Sequence, residues 1–469
     1  MRTFAASMSF TSLFYPVLRA GYLLKNKRLL AISFSAAVAS LAWAYDFREG
    51  GIYYDKTSEE TVSVTCGSVY GNSYVGDVAI PSSVEHDGIS YHVTGISDWA
   101  FFRSLRLHAV SVPESVQRIG NYAFYFCTDL ISITMGDGVK TVGRFAFQDC
   151  VSLQSLTLSG SLTNIGISAF QGCSALTDIN IPDGVKILRD GLFFGCSALT
   201  SVTIPDGVER IDWYVFRYCD SLESLHIGSG VTSIGDGAFY DCPALSSITV
   251  DEENAVYDSR DGSNAVIETY SGTLLFGCFN TEIPESVKKI SRLAFYGCEE
   301  LTSITIPESI TSIGREAFCS SGLHSITIPE NVVSIGNLAF SNCDSLCEIS
   351  ISSKVESIGS CAFSFCRNIS SVTCMAEKVP TTSPDAFYGV DCSAATLHVP
   401  AIALNRYRAL SPWKSFGTIL PIEPSGLEDL PEEKEQETDQ PIYDLLGRRL
   451  SEKPASGYFI RDGKKYRVK

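Results

Sequence analysis

Apolar residues fall at fixed intervals along most of this chain. The stretch LTSITIPESITSIGREAF, Leu301 to Phe318, shows the unit. Apolar residues alternate through Ser303–Pro307, continue as a V-x-x-I-G step, and reach an Ala-Phe pair, with Cys three residues after the Phe in most copies. The Phe recurs at Phe101, Phe124, Phe147, Phe170, Phe193, Phe216 and Phe239, always 23 residues apart. After a gap of 56 residues it resumes at Phe295, Phe318, Phe340, Phe363 and Phe387. A fixed period of this length is the signature of stacked coils.

Each part of the unit has a physical role. The alternation predicts a short strand with Ile304 and Ile306 turned inward. Pro307 lacks a backbone N–H and marks the strand's end. The Val/Ile pair covers a second wall, Gly314 permits the corner that follows, and Phe and Cys share one side of a helical or 3₁₀ turn. One coil cannot bury its own apolar edge, whereas stacked coils bury each other's. Successive strands are expected to form one parallel sheet, rising roughly 4.8 Å per coil. The expected fold is therefore a β-rich solenoid: a right-handed coil of about twelve 23-residue repeats, capped at both ends.

The repeat places Phe in a stacked spine and Cys in a ladder beside it. Cys127, Cys150, Cys173, Cys196, Cys219, Cys242, Cys298, Cys343 and Cys366 occupy the same slot. Ladder neighbours point the same way, a poor geometry for disulfides, so buried thiols packing as small apolar groups are expected. A Ser in the slot is expected to cost roughly 1–3 kcal/mol through a buried hydroxyl. No clustered Cys or His pair points to zinc.

The unit, including IPDGVKIL (Ile181–Leu188) and AFQGC (Ala169–Cys173), resembles the leucine-rich repeat of BspA-like bacterial surface proteins over about Val78 to Leu420. The resemblance implies a curved solenoid, export and attachment at cell surfaces, and no catalytic residues.

Residues 45–97 read as an N-terminal β cap, 98–394 as the repeats with a hairpin insertion at 251–283, and 395–421 as a C-terminal cap. The hairpin is expected to turn at Ser271-Gly272. Within the insertion DSRDGSN (Asp258–Asn264) carries several oxygens but lacks the alternation of a calcium loop, so it reads as an acidic turn. Residues 422–440 are acidic and read as a linker. Residues 441–469 form a short β tail turning at Asp462-Gly463. That tail is similar to the C-terminal sorting domains of the type IX secretion route, though with fewer strands than the full domain.

At the other end, KNKR (Lys25–Arg28), the apolar run Leu29–Leu41 and AWA (Ala42–Ala44) match a signal peptide in residues 1–44, preceded by an extended leader. The apolar run is too short for a membrane span. The chain carries a net charge of −17; without residues 1–44, which hold five bases and no acid, it is −22. So acidic a surface argues against nucleic acid and anionic lipid as partners.

Catalytic chemistry is not indicated. The six histidines, His86, His92, His108, His226, His324 and His398, are scattered, and no nucleophile elbow or phosphate loop stands in a fitting context. No cofactor is expected. The candidate binding surface is the strands' outward face, where Thr134, Thr157, Asn180, Thr203, His226, Thr249, Thr305, Thr327, Ser350 and Thr373 stand in one row. Thr has strand propensity and also solvates an exposed face; the functional reading is a docking surface of the kind solenoids use. Tyr125, Phe126, Phe194, Tyr218, Tyr240, Tyr296, Phe365 and Tyr388 offer a second surface. The expected partner is an extracellular protein, of host or bacterial origin. The alternative is carbohydrate binding or a wall-associated structural role.

Overall fold

The computed structural model describes residues 45–68, 71 and 73–422, with the backbone of strands at 442–443, 449–450, 457–461 and 464–468. The stretches read as a signal peptide and an acidic linker, and the turn expected at Asp462-Gly463, fall on residues outside those described. The chain forms two compact units, which divide within residues 251–283. One runs to Tyr270 and includes Phe276–Thr281; the other comprises Ser271–Leu275 and the chain from Glu282 on.

Both units are stacks of coils, and most coils add strands to two parallel ladders. In the first unit, face strands Val75–Ala79, Arg106–Val112, Ser132–Met135 and Ser155–Thr157 pair in parallel. A second set, Ser201–Ile204, Ser224–Ile227 and Ser247–Val250, does the same. The V-x-x-I step makes two-residue strands on the other wall: Arg118–Ile119, Thr141–Val142 and Asn164–Ile165, then Ile187–Leu188, Arg210–Ile211 and Ser233–Ile234. Inward residues of every such strand are buried or nearly so, while their neighbours face water. This is the period-2 pattern read from the sequence.

The second unit repeats the plan. Its face strands are Ser325–Ile328, Glu348–Ile351, Ser371–Cys374, Thr396–Val399 and Thr418–Pro421. Its other wall begins with Thr273–Gly277, which pairs in parallel with Lys289–Ile290 and so continues the ladder. The insertion thus supplies a ladder strand, and the turn before it contains Gly272 at φ 62°.

Three expectations need correction. The face ladder is not one sheet: residues 177–182 and 301–307 make no strand. Ile179, Ile181 and Ile306 are buried there all the same, whereas Ile304 is only half-buried. Burial needs only alternation within one coil, whereas a ladder needs two backbones within hydrogen-bond reach. The Phe–Cys segment is not a helical turn. It is a run of tight turns, closed by bonds such as Cys127 N to Phe124 O at 3.2 Å, with Tyr122 at φ 55° and Phe126 at φ 61°. Left-handed residues break a helix but let the turn run across the stack. There Phe124 N donates to Ala146 O, and Phe147 N to Ala169 O, both at 2.7 Å.

The third correction concerns the glycine of the I-G step. Gly314 has no positive φ; a Cβ on it would lie 2.6 Å from Arg292 N. Gly143, Gly166 and Gly336 meet the preceding coil's backbone at 2.4–2.6 Å in the same way. Glycine suits these coils because two backbones cross there and leave a side chain little room.

The core is the aromatic spine. Successive rings from Phe101 to Phe239 stack at 4.6–5.6 Å with interplanar angles up to 13°. In the second unit Phe295 to Phe387 stack at 4.9–5.5 Å. All except Phe239 and Phe387 are fully buried, and these two are nearly so.

The stacks have different neighbours at their ends. Before the first coil, strands Phe47–Glu49, Ile52–Lys56 and Thr61–Thr65 run antiparallel, and the last joins Ile89–Ile96 in parallel. After Phe387, buried Trp413 packs edge-on against Phe387, the spine's last ring, and Tyr407 from the short helix Leu404–Ala409 packs edge-on against Trp413 in turn. The tail strands Ile442–Tyr443, Arg449–Leu450, Gly457–Arg461 and Lys464–Val468 pair antiparallel.

Candidate functional site

The outward threonines are held in register by the parallel pairing. Ser111, Thr134 and Thr157 are direct partners on adjacent strands. Thr203, His226 and Thr249 form a second row, in which His226 Nδ1 lies 3.0 Å from Thr249 Oγ1. In the other unit Thr327, Ser350 and Thr373 are partners, and His398 continues the row. Thr134, Thr157, Thr203, Thr249 and Thr327 are exposed, whereas His226, Ser350 and Thr373 are half-buried. Asn180 and Thr305 are exposed but sit in the stretches without a strand, so no ladder aligns them. The single expected row is therefore several short ones.

Such a row offers hydroxyls at one-coil spacing on an otherwise flat surface. Away from the rows, His86 Nδ1 in the N-terminal strands lies 2.9 Å from Glu49 Oε1. The second proposed surface divides. Phe126, Tyr218, Phe365 and Tyr388 are exposed, Tyr125, Phe194 and Tyr296 are half-buried, and Tyr240 is buried. Arg217 lies over the rings of Tyr218 and Tyr214, 4.6 and 5.5 Å from their centres. In the acidic turn of the insertion Asp258 accepts from Arg260 Nε at 2.7 Å and from Thr269 Oγ1 at 2.7 Å, while the buried Ser263 hydroxyl has no partner among the described residues.

The cysteines are all free thiols. Eight of the nine ladder residues are buried, while Cys298 is half-buried. Sequence reasoning missed what the slot contains. Each buried Sγ points at the carbonyl of the preceding coil's Phe: Cys127 to Phe101 O at 3.0 Å, Cys173 to Phe147 O at 3.2 Å, Cys196 to Phe170 O at 3.3 Å. The thiol is a packing group and a weak donor at once. The recurrence of Cys rather than Ala was the available signal. A Ser here would not be stranded, and Ser104 and Ser321 already stand buried at the equivalent place. The expected cost of Cys196→Ser therefore falls to under about 1 kcal/mol.

Burial pushes the Cys127, Cys196 and Cys242 thiols up to about 12. Alkylation needs the thiolate and access to it. In native protein at pH 8.5, iodoacetamide followed by peptide mass mapping is expected to modify Cys298 and spare the other eight ladder residues until denaturant is added. Rapid native labelling of Cys196 would contradict the buried ladder.

Several known structures share this architecture. A leucine-rich cell surface protein of Faecalibacterium prausnitzii is similar at 28% identity, over 81% of this chain and 95% of that one, with a TM-score of 0.59. The pneumococcal vaccine antigen PcpA shares the fold at 15% identity, over 81% of this chain and 98% of that one, with a TM-score of 0.50. No curated protein matches the chain. No helix among the described residues is long and apolar enough to cross a membrane. The BspA type leucine rich repeat region matches in six copies, over residues 94–220, 186–260 and 277–394. With that repeat spread over most of its length, the chain belongs to the BspA-type leucine-rich-repeat family.

Proposed function

We propose that this is an exported protein, secreted or held at the outer cell surface, that works by capturing a protein partner on the outward face of its strands. The observation that carries the reading is the register of small hydroxyl side chains, Thr203 beside His226 beside Thr249 and Thr134 beside Thr157. A row made mostly of small hydroxyl side chains lets another protein approach the strands closely, and stacked-repeat proteins commonly bind on such surfaces. The cell-surface relative and the signal-peptide pattern at Lys25–Ala44 support the location. The segments 45–97 and 395–421 serve as caps, covering coil edges that would otherwise expose unpaired backbone and apolar rings. The function is binding, with no reaction assigned to any residue.

The test is the triple change Thr157→Lys, Thr203→Lys and Thr249→Lys. These side chains are exposed, so folding should change by no more than about 0.5 kcal/mol per site. Three long cations on the docking face are expected to weaken capture of extracellular matrix or bacterial surface proteins about tenfold or more, as read in pull-down and surface-binding assays. Unchanged capture would leave the threonine rows as a solvated face only.

A further inference from the structure

The first unit carries a surface whose chemistry runs against the chain's net charge of −17. On the wall built from the two-residue strands, a groove of about 460 Å³ is lined by Arg118, Arg144 and Arg189 together with Thr141, Asn164 and Ile167. No carboxylate lines it. Arg118 is met by Asp98 at the edge, Nη2 to Oδ1 at 3.0 Å. Arg144 is exposed and has no ion pair among the described residues, and Arg189 Nε reaches only Asn164 Oδ1, at 3.5 Å. Two guanidinium groups therefore face the groove without a countercharge.

The backbone explains why a groove opens here. Gly166 N bonds Val142 O at 2.9 Å and Asp212 N bonds Leu188 O at 2.8 Å, continuing the ladder on either side. Between them the ladder is interrupted: Asn164–Ile165 and Ile187–Leu188 belong to different sheets. At that coil Arg189 stands in the slot that Gly143 and Gly166 fill in the coils before.

An exposed aromatic completes the arrangement. Phe145 N to Ile167 O, Ser168 N to Asp190 O and Gly191 N to Trp213 O, at 2.9–3.0 Å, place Arg144, Ile167, Asp190 and Trp213 on four consecutive coils. Trp213 is 60% exposed, and its backbone N–H is anchored on Asp190 Oδ1 at 3.1 Å. Trp213 stands outside the groove's lining, one coil beyond Asp190, and its exposed ring offers an apolar face on which a ligand running past the groove could stack.

We propose that this groove binds an acidic saccharide of the hexuronate class. Its carboxylates would pair with Arg144 and Arg189, its hydroxyls would meet Asn164 and Thr141, and one ring would lie on the Trp213 indole. Charge complementarity selects an anion, because planar guanidinium groups match carboxylates. Spacing favours a sugar chain over an acidic peptide. The coils rise roughly 4.8 Å, close to the advance of one pyranose, whereas an extended peptide presents same-face side chains only every ~6.7 Å.

The experiment is titration of the full chain with oligogalacturonate, followed by intrinsic tryptophan fluorescence and calorimetry. Saturable binding is expected, with a fluorescence change that disappears in Trp213→Ala. The double change Arg144→Ala and Arg189→Ala should weaken binding about tenfold or more, since each removes a charge-assisted contact. Methyl-esterified oligogalacturonate, which keeps the ring and loses the charge, should bind about tenfold more weakly or worse. Both variants should keep the wild-type circular dichroism and melting curve, because Arg144 and Trp213 are exposed and Arg189 is only half-buried. The proposal is overturned if the ester binds as well as the acid, if the double variant binds like wild type, or if polyglutamate of matching length binds as tightly as the saccharide.

Discussion

Phe170→Ala is expected to destabilise the first unit by about 3–5 kcal/mol, the usual range for removing a fully buried ring. Phe170 stacks between Phe147 at 5.3 Å and Phe193 at 5.6 Å, and no part of it reaches solvent. The vacated space lies between two rigid rings and beneath the Cys196 thiol bound to Phe170 O, so it cannot easily collapse. In a stack where each coil touches mainly its neighbours, the loss falls on adjacent coils. Limited proteolysis should therefore cut first between about residues 147 and 193, while distant coils stay protected. Cleavage that begins at the chain ends, or a urea midpoint unchanged from wild type, would show that the spine is not what holds the coils together.

Gly314→Ala should cost about 1–3 kcal/mol despite adding one methyl group, which is the range for overpacking a site that cannot yield. The new Cβ would sit 2.6 Å from Arg292 N and 2.6 Å from Ser291 C, and both are backbone atoms held in the coil stack. Gly160→Ala is the control: nothing lies within 4 Å of its Cβ position. That change should stay within about 0.5 kcal/mol. Equal denaturation midpoints for the two variants would return the I-G glycine to a matter of chain flexibility rather than space.

These two expectations also explain how the repeat tolerates variation. The glycine slot admits Arg189 and Asp212, and the ladder is interrupted beside the first but continues past the second. The Phe slot, by contrast, holds Phe in every coil from Phe101 to Phe239. A slot filled by stacked rings has one shape that fits, whereas the backbone crossing accepts a side chain with the ladder open at Arg189 and with it kept at Asp212.

The architecture was legible in the sequence because repetition multiplies a weak local signal. One SITIP segment says little, but the same phase kept from Phe101 to Phe239 and again from Phe295 to Phe387 defines the coil, its buried wall and its spine. Inward positions such as Val202, Ile204, Leu225 and Ile227 followed from alternation, as did the outward Thr203 and Thr249. Period and alternation are properties of one coil, so the sequence carries them. The tertiary structure alone decided what depends on distances between coils. It set where the ladders interrupt, which threonines share a row, and that the thiols meet Phe carbonyls. It also brought Arg118, Arg144 and Arg189, 71 residues apart at the extremes, to one groove. Those cations lie at different places in successive repeats, so no period connects them, and only the stacking of coils a few ångströms apart makes them neighbours.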